Sequence, residues 1–369
     1  MKITLNNTDR QILDDILTQK DENYTVSQLT NSFLEEHFDA IGKIAVDELM
    51  EAEGLTENEA MEEAFYKYLS LDSQDPLVED MREHTDFGKL EAIPEKEFID
   101  HPFNRMKISP ALLGPYQLRY NYFEPYELFN DGNTICDEKS NFAERTHLGY
   151  FEKKTPYLML TQKDEIWMSI TPHEIHTMKE DVEKATGNVL TFGLGLGYYA
   201  FEVSNKEDVK SVTIIEKDSK VISLFEKNLL PLFPHKEKIK IIRQDAFLYF
   251  ERELKTLNYD YIFVDIYHTP DDALPLYLRF RKGEKNLHGQ NVSYWIEESI
   301  LCLLRRYVLT IMEEHFQGYT KEAYMIAEDT ETEILKKLYL ALDDRNFTSI
   351  DVIRQTLSDE GLRRLSADL

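Results

Sequence analysis

Apolar residues recur with two different periods along this chain, and the change of period divides it. Over the first hundred residues the spacing is helical. Ile12, Leu13, Ile16 and Leu17 mark one face, and Phe33, Leu34, Phe38, Ile41, Ile44, Ala45 and Leu49 continue in steps of three and four. Gly54 is a C-terminal stop, and Thr56 stands three residues before Glu59, the capping-box pattern that opens a helix to about Leu69. Ser73-Gln74-Asp75-Pro76 is a break. Between 101 and 149 the periodicity fades. Pro110, Gly114, Pro115 and Pro125 punctuate Tyr116, Tyr120, Tyr122, Phe123, Tyr126 and Phe129, a segment suited to packing over a core or to covering a substrate. Two β-prone runs, 157–160 and 166–170, then flank Gln162-Lys163-Asp164-Glu165 as a hairpin, and Thr171-Pro172 starts a helix to about Ala185.

From residue 189 short apolar runs alternate with amphipathic ones. Strands are expected at 189–192, 211–215, 239–243 and 261–265, with helices near 198–204, 218–229 and 246–256. After Arg279 the pattern shows helices only, at 292–312, 321–342 and 349–365, so the sheet is expected to be truncated or completed by the upstream hairpin. The expected fold class is α/β: a Rossmann-like, doubly wound, mostly parallel sheet with an additional N-terminal helical domain and C-terminal helices. Its divisions are an acidic helical accessory domain at 1–100, an aromatic-rich connecting segment at 101–149, and the Rossmann-like domain with its helical extension at 150–369.

Chemistry concentrates where the strands end. The run Val189-Leu190-Thr191-Phe192-Gly193-Leu194-Gly195-Leu196-Gly197-Tyr198 is a buried strand entering Gly-x-Gly-x-Gly, followed by a helix. Glycines permit the tight turn and a close ligand approach, and the next helix N-terminus offers free N–H groups. Glu216 ends the second strand, placed to accept from both hydroxyls of a ribose. Asp245 ends the third, placed to accept from an adenine amine with Ala246 and Phe247 beside the ring. Asp265 ends the fourth, with Tyr267 and His268 just beyond it. A dinucleotide fingerprint is also present in Gly195-x-Gly197-x-x-Ala200. There, however, the first glycine should follow the strand directly, and in the frame of Gly193 a bulky Tyr198 falls where a small residue is needed. S-adenosylmethionine is therefore the expected cofactor. A sulfonium is already electrophilic, so the protein need only align a nucleophile and take its proton. Asp265 and His268 are the candidate catalytic residues, flanking the expected methyl position.

Charge narrows the partners. The net charge is −27, from 69 acidic and 42 basic residues. Of this, −18 falls within residues 1–100, which hold 26 Asp and Glu against 8 Lys and Arg. Such a surface repels phosphate backbones, so no nucleic-acid partner is expected. The 2 cysteines, Cys136 and Cys302, lack metal-type spacing and suit a reducing compartment. His173 and His176 have no third ligand nearby in sequence, so no metal site is expected. The opening residues lack a signal-peptide pattern and no run is long enough to span a membrane, so the expectation is a cytoplasmic protein without a membrane partner, possibly a homo-oligomer.

Residues 157–270 resemble the class I S-adenosylmethionine-dependent methyltransferases, and more narrowly their spermidine synthase-like branch. The likeness is carried by Asp164-Glu165, the 189–197 run, Ile214-Ile215-Glu216-Lys217-Asp218-Ser219-Lys220-Val221-Ile222, Leu229-Leu230-Pro231, Gln244-Asp245-Ala246 and 259–265. It implies that Gly193, Gly195 and Gly197 cradle the methionine part, Glu216 holds the ribose, Asp245 the adenine amine, and Asp265 sits beside the reacting centre. Leu196 stands where that branch usually has Asp. The expected activity is methyl transfer to a small molecule or a protein. The alternatives are spermidine synthase-like aminopropyl transfer and a non-catalytic nucleotide-binding or protein-interaction module.

Overall fold

The computed structural model describes residues 1–163, 165–287, 290–326 and 328–369, with the Lys255 side chain also set aside. Asp164, in the expected hairpin turn, lies outside the described residues. The chain begins with β1 (Lys2–Ile3), α1 (Asn7–Glu36), α2 (Lys43–Glu53), α3 (Glu57–Tyr68), α4 (Pro76–Thr85), β2 (Leu90–Ala92) and α5 (Glu95–Asp100). Next come β3 (Ala111–Leu113), β4 (Tyr116–Phe123), β5 (Leu128–Asn130), β6 (Ile135–Asp137), β7 (Ala143–Arg145), β8 (Leu148–Tyr150), β9 (Thr155–Gln162) and β10 (Glu165–Ser169). The α/β region holds α6 (Pro172–Lys184), β11 (Gly187–Phe192), α7 (Tyr198–Ser204), β12 (Val209–Glu216), α8 (Ser219–Asn228), β13 (Ile239–Arg243), α9 (Ala246–Leu248), β14 (Tyr261–Val264), α10 (Pro270–Glu284) and β15 (Val292–Tyr294). The chain closes with α11 (Glu297–Phe316), α12 (Lys321–Tyr324), α13 (Thr330–Leu342), β16 (Asn346–Phe347), α14 (Ile350–Leu357) and α15 (Asp359–Asp368).

The central sheet is parallel, in the order β13-β12-β11-β14-β15. Its inner strands read as unbroken apolar runs because both faces are covered: Val189, Leu190 and Phe192 of β11 and Ile262, Phe263 and Val264 of β14 are wholly buried. Two connections from β11 run one way across the sheet, and β14 lies on β11's other side. That reversal puts a crevice at the carboxyl ends of β11 and β14. The four strands expected from the sequence are all present. A fifth, β15, was not: residues 292–294 extend the sheet from Val264↔Tyr294, and the following helix starts only at Glu297. Three residues are too few to show a period, and the adjoining apolar helix masked them. The expected helices at 321–342 and 349–365 are each broken in two, α12/α13 and α14/α15.

The hairpin 155–169 does not complete the parallel sheet. It joins the 101–149 segment in a separate antiparallel sheet, β10-β9-β4-β3, in which β4 pairs with β9 along eight residues. What reads as an irregular aromatic stretch thus holds several strands. Tyr116 and Leu118 are buried on one face of β4 and Phe123 on the other, and the half-buried Tyr120 and exposed Tyr122 continue the first face, so no clean period shows.

Helix α1 runs unbroken for 30 residues. Its inward positions include Gln19, Lys20 and Asn23, whose polarity hides the apolar stripe. Each is satisfied. Lys20 pairs with Glu313 of α11, Gln19 donates to Asn23 at 3.2 Å, and Asn23 donates to the Phe142 carbonyl at 2.8 Å. Leu13 and Ile16 join the core around the parallel sheet, and Val26 and Phe33 join a second core with α2–α4 and β8. Packing therefore crosses the boundary drawn at residue 100. The capping box at Thr56 and Glu59 is formed, with the Thr56 N–H donating to Glu59 at 2.8 Å. Among the described residues, no helix is long and apolar enough to cross a membrane.

Candidate active site

The glycine turn closes the end of β11. The Asp265 N–H donates to the Phe192 carbonyl at 2.9 Å, and the Gly193 N–H to Ile215 at 2.9 Å, which ties three strand ends together. Gly193 has φ +97°, and a Cβ there would run into the Asp265 carbonyl oxygen. This glycine is needed by the neighbouring backbone, before any ligand is considered. Gly197 begins α7 as its N-terminal cap at φ +78° and packs on Phe225. Gly195, at φ +53°, is the one whose Cβ would meet only a flexible side chain, the Sδ and Cε of Met168 on β10.

Met168 helps to reduce the cavity beside the turn to about 20 Å³, roughly one water molecule. The cavity is lined by Thr191, Leu194, Leu196, Tyr199, Glu174 and Asp265 besides Gly193 and Gly197, and among the described residues no Lys, Arg or His lines it. Burial, reinforced by the charge of Glu216, pushes Asp265 up to about 7. Burial and then the nearby Asp265 push Glu174, in the first turn of α6, well above the usual carboxylate range. The Tyr199 hydroxyl is buried without a hydrogen-bond partner, and its ring stacks on Phe263 at 4.1 Å. A carboxyl that gives up its proton near neutrality and an unmatched hydroxyl together suit a polar guest, and a cationic one once the carboxyl is ionised.

Glu216 lies at the rim. Its carboxylate accepts from the Asp218 N–H at 2.7 Å and the Leu194 N–H at 3.4 Å, while burial raises its pKa. It is thus bonded to the glycine turn itself. Asp218 caps α8 and accepts from the Tyr116 hydroxyl at 2.8 Å, and Gln162 donates to the same hydroxyl at 3.1 Å. Through Tyr116, Gln162 and Met168 the antiparallel sheet covers the crevice.

The remaining candidates are more dispersed. Asp245 is exposed and caps α9, accepting from Leu248 at 3.0 Å; Ala246, the first residue of α9, is half-buried. Phe247, expected beside an adenine, packs instead against Phe280, with ring centroids 4.6 Å apart and the Arg279 guanidinium 3.8 Å from its own. Asp265 and His268 do not line one cavity. The chain turns outward after β14, leaving His268 exposed, 5.2 Å from the Trp167 ring, on the wall of a separate polar cleft of about 440 Å³. Asn31 of α1, Glu144, His173, Asp271 and Arg306 line that cleft too. Asp272 forms a capping box with Thr269 at the start of α10. His176 is 2.9 Å from Asp131, which raises its pKa, whereas burial pushes His173 down to about 4.

Sequence reasoning missed Glu174, Met168, Tyr116 and Gln162. A first-turn glutamate is ordinary at a helix start, and nothing in a strand sequence says which loop it will cover.

A parallel α/β sheet with a glycine turn and acids at its switch point defines a nucleotide-binding class of fold. Within it, residues 171–327 match the spermine/spermidine synthase domain family. Three solved structures are similar to this chain over part of its length, each at 17% identity. A spermidine synthase from Thermotoga maritima aligns with a TM-score of 0.28, over 41% of this chain and 58% of its own. A provisionally named SAM-dependent methyltransferase from Streptococcus mutans aligns at 0.28, over 38% and 39%. A provisionally named O-methyltransferase from Klebsiella pneumoniae aligns at 0.24, over 37% and 66%. The chain thus spans less than two thirds of each of these structures. No curated protein sequence matches it. The stretch 171–327 is thus similar to the spermine/spermidine synthase domain.

Proposed function

We propose that this chain is a transferase that binds an adenosyl sulfonium at the 193–197 turn and passes an alkyl group from it to a nucleophile. The observation that carries this reading is the pair of half-buried acids with raised pKa, Glu174 and Asp265, beside a glycine turn lined, among the described residues, by no basic side chain. Ionised, they complement a sulfonium cation in a setting of reduced dielectric. Asp265, with its pKa near neutrality, is matched to take the proton of an attacking amine.

The acids also bear on the donor. A methionine tail carries a carboxylate, which the acid pair disfavours, whereas a decarboxylated tail ends in an ammonium alone. Together with the spermine/spermidine synthase family match, this favours aminopropyl transfer. Methyl transfer from S-adenosylmethionine is the second reading, favoured by Leu196: it is 2% exposed and apolar where the resembled branch has an acid to hold the tail. In either case Met168 must move, since about 20 Å³ does not admit a nucleoside.

The test is calorimetry of the full chain against S-adenosylmethionine, its decarboxylated form, S-adenosylhomocysteine and NAD. Aminopropyl transfer expects tightest binding of the decarboxylated donor. Preference for S-adenosylmethionine and S-adenosylhomocysteine would move the assignment to methyl transfer, and NAD alone would refute both. With a donor in hand, Asp265→Asn is expected to lower turnover by roughly 10²–10⁴. Unchanged turnover removes Asp265 as the base.

A further inference from the structure

Away from the crevice, α4 lies against the middle of α1. Asp80 and His84 stand one turn apart on α4, on the same face, and Glu22 comes from α1. A Glu22 oxygen, an Asp80 oxygen and a ring nitrogen of His84 all lie within 4.8 Å of one another. The Asp80 oxygen is 3.6 Å from His84 Nδ1. Two donors bound to one zinc ion at its usual bond lengths and a tetrahedral angle are about 3.4 Å apart, so this pair is already near ligating separation. A second observation is independent of the spacing. Glu22 Oε1 and His84 Nδ1 are themselves shielded from solvent and find no hydrogen-bond partner among the described residues, although the His84 and Asp80 side chains are 45% and 58% exposed. Shielded polar atoms are nearly always paired, so two orphans at one point ask for a missing partner that accepts electron pairs.

We propose that Glu22, Asp80 and His84 ligate a divalent transition-metal ion of the zinc type, which fastens α4 to α1. Two carboxylates balance the double charge, the imidazole selects zinc-like ions over magnesium, and water completes the shell. The ion would also steady a wall of a neighbouring charged cavity, because α4 carries Arg82, which pairs with Glu62.

The experiment uses the full chain, free of any affinity tag and stripped with a chelator. Zn²⁺ is titrated by calorimetry, thermal denaturation is followed with and without it, and Co²⁺ serves as a visible probe. The expected result is one saturable equivalent, a higher Tm with Zn²⁺, and no such response to Mg²⁺. His84→Ala and Glu22→Gln should each weaken binding by more than the roughly 10–100-fold that losing an outer partner of a metal ligand costs. His176→Ala, which removes a histidine elsewhere, should leave binding unchanged. The proposal fails if no stoichiometric binding is seen, if binding survives both variants, or if His176→Ala abolishes it. Glu22→Gln keeps the shape of the side chain and tests the site even where His84→Ala folds poorly.

Discussion

Two cavities flank the segment that follows β14, and they are built in opposite ways. The narrow one beside the glycine turn draws most of its lining from one stretch, 191–200, completed by Met168, Ile170, Glu174, Met178 and Asp265. The wide cleft draws on α1, the 130–146 strands, His173, the 268–271 turn and α11. The first is a local motif whose geometry follows from glycine stereochemistry and the parallel register. The second exists only because distant segments meet, and its one strong electrostatic anchor spans the chain: Arg306 donates to Glu144 at 3.0 Å, and Glu144 is 4% exposed. A motif can be read from a short stretch of sequence, whereas a cleft assembled from distant segments is a product of tertiary packing.

The glycines offer the sharpest way to break this comparison. Gly193→Val places a β-branched side chain at φ +97° against the backbone of Asp265 and should destabilise the fold by more than about 4 kcal/mol, read by denaturant melts. Gly195→Ala meets only Met168 and should lose about 1–2 kcal/mol while abolishing nucleotide binding. Equal stability of the two variants would mean the turn is not pinned by β14.

Arg306→Ala tests the cleft alone. It strands the buried Glu144 and should cost roughly 3–5 kcal/mol, while donor affinity, corrected for the folded fraction, stays within about threefold. Donor affinity falling with it would make the two cavities one site. Smaller still, Glu216→Ala should weaken donor binding by about 1–3 kcal/mol, through lost ribose contacts and a loosened Leu194 amide. Unchanged affinity in calorimetry would take Glu216 out of the site.

The parallel strands were legible because both faces of each are covered, so Val, Ile and Phe run without interruption. The glycine turn was legible for the same local reason. Three things were not. The inward stripe of α1 is interrupted by Gln19, Lys20 and Asn23, whose partners beyond the helix lie in α11 and around β7. Buried residues on both faces of β4 conceal an inner strand of the covering sheet. His268 looked close to Asp265 in sequence, yet the outward turn into α10 carries it to another cavity. For α1 the deciding contacts lie more than a hundred residues away, for β4 in its pairing with β9, and for His268 in the direction of a loop.

The central claim is that ionised Asp265 meets a cation beside the glycine turn. The direct measurement is calorimetric affinity for the preferred sulfonium donor from pH 6 to pH 8.5. Below about 7 the carboxyl holds its proton and offers the cation no charge; above it the carboxylate is free to pair. Affinity should therefore rise as pH passes through about 7 and then level off, and Asp265→Asn should bind more weakly with that rise removed. A donor affinity independent of pH, or a rise that persists in Asp265→Asn, would contradict the account.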